Sequence, residues 1–142
     1  MFTVDTNILV YAHREEFDLH RKARAMLEEL AAGDEPWVLF WPCIYEFVRV
    51  VTHPRLFHPA TPTVIAETAM MELINHSSAV VLSETEHHTK WFSRILRETG
   101  CAGNHVFDAH IAALMRENGV SRIITRDKDF HQFEGIEVVI PF

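Results

Sequence analysis

Four acids draw attention by where they fall in the chain: Asp5, Glu46, Asp108 and Asp127. Asp5 ends the apolar, β-branched run Phe2-Thr3-Val4, which reads as a buried first strand. The carboxyl end of such a strand is where open parallel sheets place their sites. Thr6 and Asn7 follow, and their short oxygens suit a helix N-terminus with its unpaired N–H groups. Asp127 likewise follows a buried strand over Ser121–Thr125. Glu46 is the lone acid near the inner side of an apolar helix face made by Ile44, Phe47, Val48 and Val51, and Asp108 sits in the opening turns of another helix. Carboxylates brought within a few ångströms repel one another, so a cluster of these four needs a compensating cation. Hard oxygen donors without a His/Cys set favour Mg²⁺ or Mn²⁺ over zinc. Such an ion binds substrate phosphates and activates water, so the expected chemistry is phosphodiester hydrolysis.

The elements that must gather these acids alternate between strand and helix. Asp18 is placed to cap a helix with core positions Ala23, Met26, Leu27, Leu30 and Ala31, and Gly33 to stop it. Trp37–Phe40 is a short buried strand, and Pro42 opens the helix that carries Glu46. His53-Pro54-Arg55 and His58-Pro59 break the pattern and predict an exposed loop. Thr61-Pro62 restarts a helix that runs to about Asn75, ahead of a strand over Ala79–Leu82. Ser83 and Glu86 form a capping-box pattern for a helix ending at Gly100, with Trp91, Phe92, Ile95 and Leu96 inward. The helix that begins near Asn104 has Phe107, Ile111, Leu114 and Met115 on its apolar face and Ala109, Ala112 and Ala113 for close packing. Glu137–Ile140 is the last strand. This βαβ alternation predicts an α/β fold, one three-layer α/β/α domain over residues 1–142 with a mostly parallel central sheet.

Composition narrows the class further. With 142 residues and 48% hydrophobic content, the chain can bury a core without staples. A formal charge of −7 argues against nonspecific adhesion to nucleic acid or anionic membranes. Cys43 and Cys101 have no ligand or CxxC spacing and read as reduced thiols, for which the cytoplasm is the natural compartment. No secretory segment or membrane-spanning run is recognisable.

The pieces Val4-Asp5-Thr6-Asn7-Ile8-Leu9, Ile44-Tyr45-Glu46-Phe47, Phe107-Asp108-Ala109-His110-Ile111-Ala112-Ala113 and Thr125-Arg126-Asp127-Lys128-Asp129-Phe130 give the chain its resemblance to the PIN-domain family, and within it to VapC-type toxins. The resemblance spans nearly the whole length. It implies a metal-dependent endoribonuclease that uses Asp5, Glu46, Asp108 and Asp127 as catalytic, metal-binding acids, with Asp129 matching a further acid. It also implies structured RNA (tRNA or rRNA) as substrate, toxin dimers, and a VapB-like protein antitoxin inserted in a groove over the site. Thr6, Asn7 and Thr125 can orient the carboxylates by hydrogen bonds. Arg49, Arg126 and Lys128 are candidates for contact with the RNA backbone.

Each residue has a plainer competing role. Aspartates after strands commonly cap turns, Glu46 and Arg49 can form a surface ion pair, and charged loop residues are usually solvated. The ten histidines admit a rival, metal-independent ribonuclease with His as general acid and base. His53 with His58, or the pair His87-His88, lacks a third nearby ligand, so exposed histidines are the default reading. A haloacid-dehalogenase-type phosphatase requires a second Asp where Asn7 stands. A PIN-fold RNA-processing nuclease without an antitoxin and a silent binding module are the remaining alternatives.

Overall fold

The computed structural model describes residues 1–142. Five parallel strands, β1 (Phe2–Val4), β2 (Trp37–Phe40), β3 (Ala79–Leu82), β4 (Arg122–Ile124) and β5 (Glu137–Val139), form one sheet in the order β3-β2-β1-β4-β5. Six α-helices flank it: α1 (Thr6–His13), α2 (His20–Ala32), α3 (Trp41–Val51), α4 (Thr63–Asn75), α5 (His88–Thr99) and α6 (His105–Glu117).

The period of two along β2 shows how the three layers arise. Trp37 and Leu39 join one cluster of 14 buried residues with Ile8, Phe47 and Met70 from α1, α3 and α4. Val38 and Phe40 join a second cluster of 14 with Ile95 from α5 and Leu114 and Met115 from α6. Successive side chains of a strand point to opposite faces, so a wholly apolar strand requires helices on both. The predicted three-layer α/β/α architecture is what forms. Ala109, Ala112 and Ala113 are fully buried, and these small residues let α6 lie close against the sheet.

Chain order reverses at β1, with β2 on one side and β4 on the other. The crevice between the carboxyl ends of β1 and β4 is therefore the topological switch point of the sheet. Asp5 N–H donates to the Ile124 carbonyl at 3.0 Å, which fixes the two ends level with each other.

Local details depart from the sequence expectations where tertiary partners intervene. Asp18 is exposed and does not cap α2. Leu19 holds that position, and the chain enters the helix through a backbone turn in which His20 N–H meets the Phe17 carbonyl at 3.0 Å. Thr61 is not a cap either, because its hydroxyl is taken by Arg14 Nη1 and His13 Nε2, each at 3.0 Å, and α4 starts after Pro62. Ser83 and Glu86 form no capping box. Ser83 Oγ instead donates to Glu84, and α5 begins at His88 after a turn through Glu86 and His87 in which His88 N–H meets the Thr85 carbonyl at 3.1 Å. The His53–Pro59 loop is exposed as expected at Pro54, Arg55, Leu56, His58 and Pro59, and Phe57 alone anchors it, buried against Phe17 with the Arg14 guanidinium 4.5 Å above its ring.

Leu39 has no solvent exposure, and β2 is paired on both edges. Leu39→Ala should cost about 2–5 kcal/mol through lost burial and the cavity left behind. Urea unfolding would show a lower midpoint with an unchanged slope, and an unaltered midpoint would contradict this packing.

Candidate active site

The crevice at the β1/β4 switch point is lined by Asp5, Glu46, Arg49, Asn104, His105, Phe107, Asp108, Ile111, Asp127 and Asp129. All four predicted acids, together with Asp129, thus reach one cleft from four places: the end of β1, helix α3, helix α6 and the turn after β4.

Asp5 is the most firmly held. It is the N-cap of α1, and its Oδ1 accepts from Thr6 N–H at 2.7 Å. Its Oδ2 accepts from Thr125 Oγ1 at 2.6 Å and from Asn7 Nδ2 at 3.0 Å. The expectation that Thr6 and Asn7 would cap the helix is corrected here, since Asp5 takes that role. Asn7 reaches across instead, donating to Thr125 Oγ1 at 3.1 Å, while Thr6 Oγ1 points to the Cys43 carbonyl at 3.5 Å. Thr125 has no solvent exposure, and its hydroxyl also accepts from Asp127 N–H at 2.9 Å. One hydroxyl therefore ties Asp5 to the backbone that carries Asp127. Asp127 in turn caps the 3-10 turn Lys128–Gln132 through Asp129 N–H at 2.8 Å. The turn-capping and site-forming readings of these aspartates are compatible, because the turns hold the carboxylates in place.

Glu46 and Asp129 are less enclosed than the other acids. The Glu46 side chain is 45% exposed, with Arg49 at 3.7 Å. The expectation that it lies on the inner side of its helix is corrected: Ile44 and Phe47 take the buried face, and Glu46 sits at the cleft wall. Phe107, expected in the core, is 69% exposed, because the first turns of α6 overhang the crevice where no layer covers them. His105 escaped notice in the sequence. Its Nδ1 stands 3.7 Å from Asp108 and 3.6 Å from Asp129, and only the folded i,i+3 geometry joined to the turn after β4 makes that visible. Arg126 and Lys128 are exposed, and Arg126 N–H approaches Asn7 Oδ1 at 3.4 Å.

The electrostatics follow from crowding. Burial pushes the Asp5 carboxyl up to about 6, assisted by Glu46 and Asp127 and opposed by the hydrogen bonds from Thr125 and Thr6. Asp108 is also pushed up to about 6, first by burial and then by Asp127, Asp5 and Asp129, with His105 opposing. This is an oxygen-rich, under-neutralised site, and its donor chemistry fits a hard divalent cation. His105, Asp108 and Asp129 also place one ligand atom each within 4.8 Å of one another. Cys43, behind the cleft, is buried and unpaired, and burial pushes its thiol well up, so it is inert.

Residues 2–136 match the sequence profile described as the PIN domain. This chain belongs to the PIN-domain family. Among its curated PIN relatives, Ribonuclease VapC48 of Mycobacterium tuberculosis (strain ATCC 25618 / H37Rv) is 34% identical over 141 residues, spanning 99% of this chain and 97% of that one. Ribonuclease VapC43 of the same strain is 36% identical over 136 residues, spanning 96% and 92%. Two solved structures share the fold. VapC20 of Mycobacterium tuberculosis, described as a sarcin-ricin-loop-cleaving toxin, superposes with a TM-score of 0.68 at 15% identity over 97% of this chain and 98% of that one. FitAcB from Neisseria gonorrhoeae gives 0.69 at 18% identity over 99% and 98%.

The raised Asp108 carboxyl gives a pH signature. Its folded value, about 6, lies above the ordinary 3.8, so the folded state binds more protons across that interval. The stabilising effect is present below about pH 4 and lost as pH rises through about 6. In metal-free protein, the stability of Asp108→Asn relative to the unsubstituted chain should therefore climb between about pH 4 and 6 by on the order of 1–2 kcal/mol, then level off. Urea titrations at several pH values measure this difference, and a difference independent of pH would refute it.

Proposed function

We propose that this chain is a metal-dependent endoribonuclease of the VapC type, acting on folded RNA, with residues 1–142 working as one catalytic unit. The observation that carries the reading is the convergence of Asp5, Glu46, Asp108 and Asp127 from separate elements on one cleft. The ribonuclease names of relatives at 34–36% identity over nearly the full length support the substrate class.

Asp5, Glu46, Asp108 and Asp127 hold a divalent cation, Mg²⁺ or Mn²⁺, with Asp129 in support. When bound, such a cation activates water for attack on phosphorus and neutralises charge on the leaving oxygen. The remaining work belongs to the chain. Thr125 and Asn7 fix the Asp5 carboxylate so that it does not swing away from its neighbours. Arg49 draws Glu46 to the cleft wall, and with Arg126 and Lys128 it offers cationic contacts for an RNA backbone. At a net charge of −7 the protein gains little from general counterion release, so substrate is selected by local contacts and RNA shape. Cleavage at a few sites follows from this, rather than general degradation.

The same reading includes a VapB-like antitoxin and a toxin homodimer, working in the cytoplasm. Relevant structural neighbours include VapBC2 from Rickettsia felis, described as bound to a DNA fragment from its promoter, with a TM-score of 0.66 at 14% identity over 97% of this chain and 96% of that one. An apolar groove lined by Trp41, Tyr45, Phe107 and Ile111 runs beside Glu46 and Arg49 and gives an antitoxin segment somewhere to lie. A basic residue on that segment would be drawn to the acids. No helix is long and apolar enough to cross a membrane.

Purified, partner-free protein incubated with total cellular RNA and Mg²⁺ or Mn²⁺ should cut at few sites and leave 5′-phosphates. EDTA and Asp5→Asn should each abolish the cuts. Cleavage that survives EDTA and leaves 2′,3′-cyclic phosphates would instead place histidine in the catalytic role. Thr125→Val, which removes the hydroxyl shared by Asp5 and Asp127, should lower activity or metal affinity by about 10–100-fold while the protein stays folded. Unchanged kinetics in that variant would deny the hydroxyl its positioning role.

A further inference from the structure

A second cluster of ligating side chains lies outside the acid cleft, where the start of α5 meets the middle of α6. Glu84, His88 and His110 place one ligand atom each, a carboxylate oxygen and two ring nitrogens, within 4.8 Å of one another. His110 Nε2 pairs with Glu84 Oε1 at 2.7 Å, and the two imidazoles meet edge to face with centroids 5.4 Å apart. Both histidine side chains are largely enclosed, at 24% and 29% exposure.

Behind them stands Glu117, whose side chain has no solvent exposure. Its Oε2 holds His88 Nδ1 at 2.5 Å, and its Oε1 accepts from Thr85 N–H at 2.5 Å. A buried carboxylate on Nδ1 makes that nitrogen the protonated one and leaves the lone pair on Nε2. Carboxylates serve metal-ligating histidines in this way, setting tautomer and ring direction and raising ligand basicity. Through these two bonds Glu117 ties the β3–α5 connection and the start of α5 to α6 and fixes the direction of the His88 ring.

We propose that Glu84, His88 and His110 form a site for a transition-metal ion of the Zn²⁺ type, with Glu117 as the positioning residue for His88. Two imidazoles and one carboxylate suit Zn²⁺, whereas the acid cleft, five carboxylates with the single imidazole of His105, suits Mg²⁺ or Mn²⁺. The two sites are chemically distinct, and they are also separated on α6. His110 follows Asp108 by two residues, roughly 200° around the helix, so the two side chains leave it in opposed directions. The ion would clasp the β3–α5 connection and the first residue of α5 to α6. Glu84 and His110 also line the apolar groove that reaches Glu46, so the clasp sits in the wall of that groove.

The test is equilibrium dialysis of chelator-treated full-length protein against Zn²⁺, with thermal melts of the same samples. The Asp5→Asn/Asp108→Asn variant isolates the proposed site from the acid cleft. We expect about one Zn²⁺ per chain in that variant and a melting temperature that rises with Zn²⁺ concentration. His110→Gln should lose both effects, and Glu117→Gln should bind about 10–100-fold more weakly. His53→Gln/His58→Gln reports on adventitious surface histidines and should change nothing. Zn²⁺ uptake lost with the two aspartates, retained in His110→Gln, or lost equally in the His53/His58 variant would overturn the proposal. If His110→Gln proves unfolded, the imidazole ¹⁵N resonances of the unsubstituted protein decide. Zn²⁺ must shift those of His88 and His110, and a titration that leaves them unmoved refutes the site.

Discussion

Repulsion among carboxylates at the carboxyl edge of β1 and β4 is the constraint under which the rest of the molecule is built. Left to themselves, Asp5, Asp108 and Asp127 would separate; burial raises the Asp5 and Asp108 carboxyls first, and the neighbouring acids raise them further. The fold opposes it with rigid supports. Asp5 is gripped by the backbone of its own helix and by the Thr125 and Asn7 side chains. The β1/β4 ladder sets both strand ends level, and the packed cores on the two faces of the sheet keep α3 and α6 from drifting outward.

The contribution of α6 shows how packing becomes electrostatics. Ala109, Ala112 and Ala113 have no side chain that would hold the helix off the sheet. Asp108 thereby comes within range of Asp127 and Asp5, and the desolvation that raises its carboxyl is a product of the same close approach. Bulkier residues at these alanine positions would weaken the acid cluster without touching any acid.

Much of this was legible in the sequence, and for identifiable reasons. The strands announced themselves as short β-branched runs between turn residues, and Asp5 and Asp127 were found because a strand's end fixes where the next residue goes. What stayed hidden depends on contacts remote in sequence. Thr61 looked like a cap until Arg14 and His13 claimed its hydroxyl. Ser83 looked like one until Glu84 did. Glu46 was placed on the inner side because helical periodicity gives a face but not the sharp limit of its burial. His105 gained meaning from Asp129, and His88 from His110 and Glu117, all of them partners brought in by other elements. Periodicity also put Phe107 inside, since it cannot tell where along a helix the covering layer ends.

The hydrogen bond between Thr125 and Asp5 joins residues 120 positions apart in the chain. Asp5 leads β4 and its turn by nearly the whole run of strands and helices between them, and the sheet's central strand waits for β4 throughout that interval. Any nascent fragment that stops short of the final turn carries the first acid without the hydroxyl that steadies it or the carboxylate that completes the cleft. Assembly of the site thus waits on synthesis of β4 and the turn after it, and a chain cut short ahead of Thr125 has no assembled acid cluster.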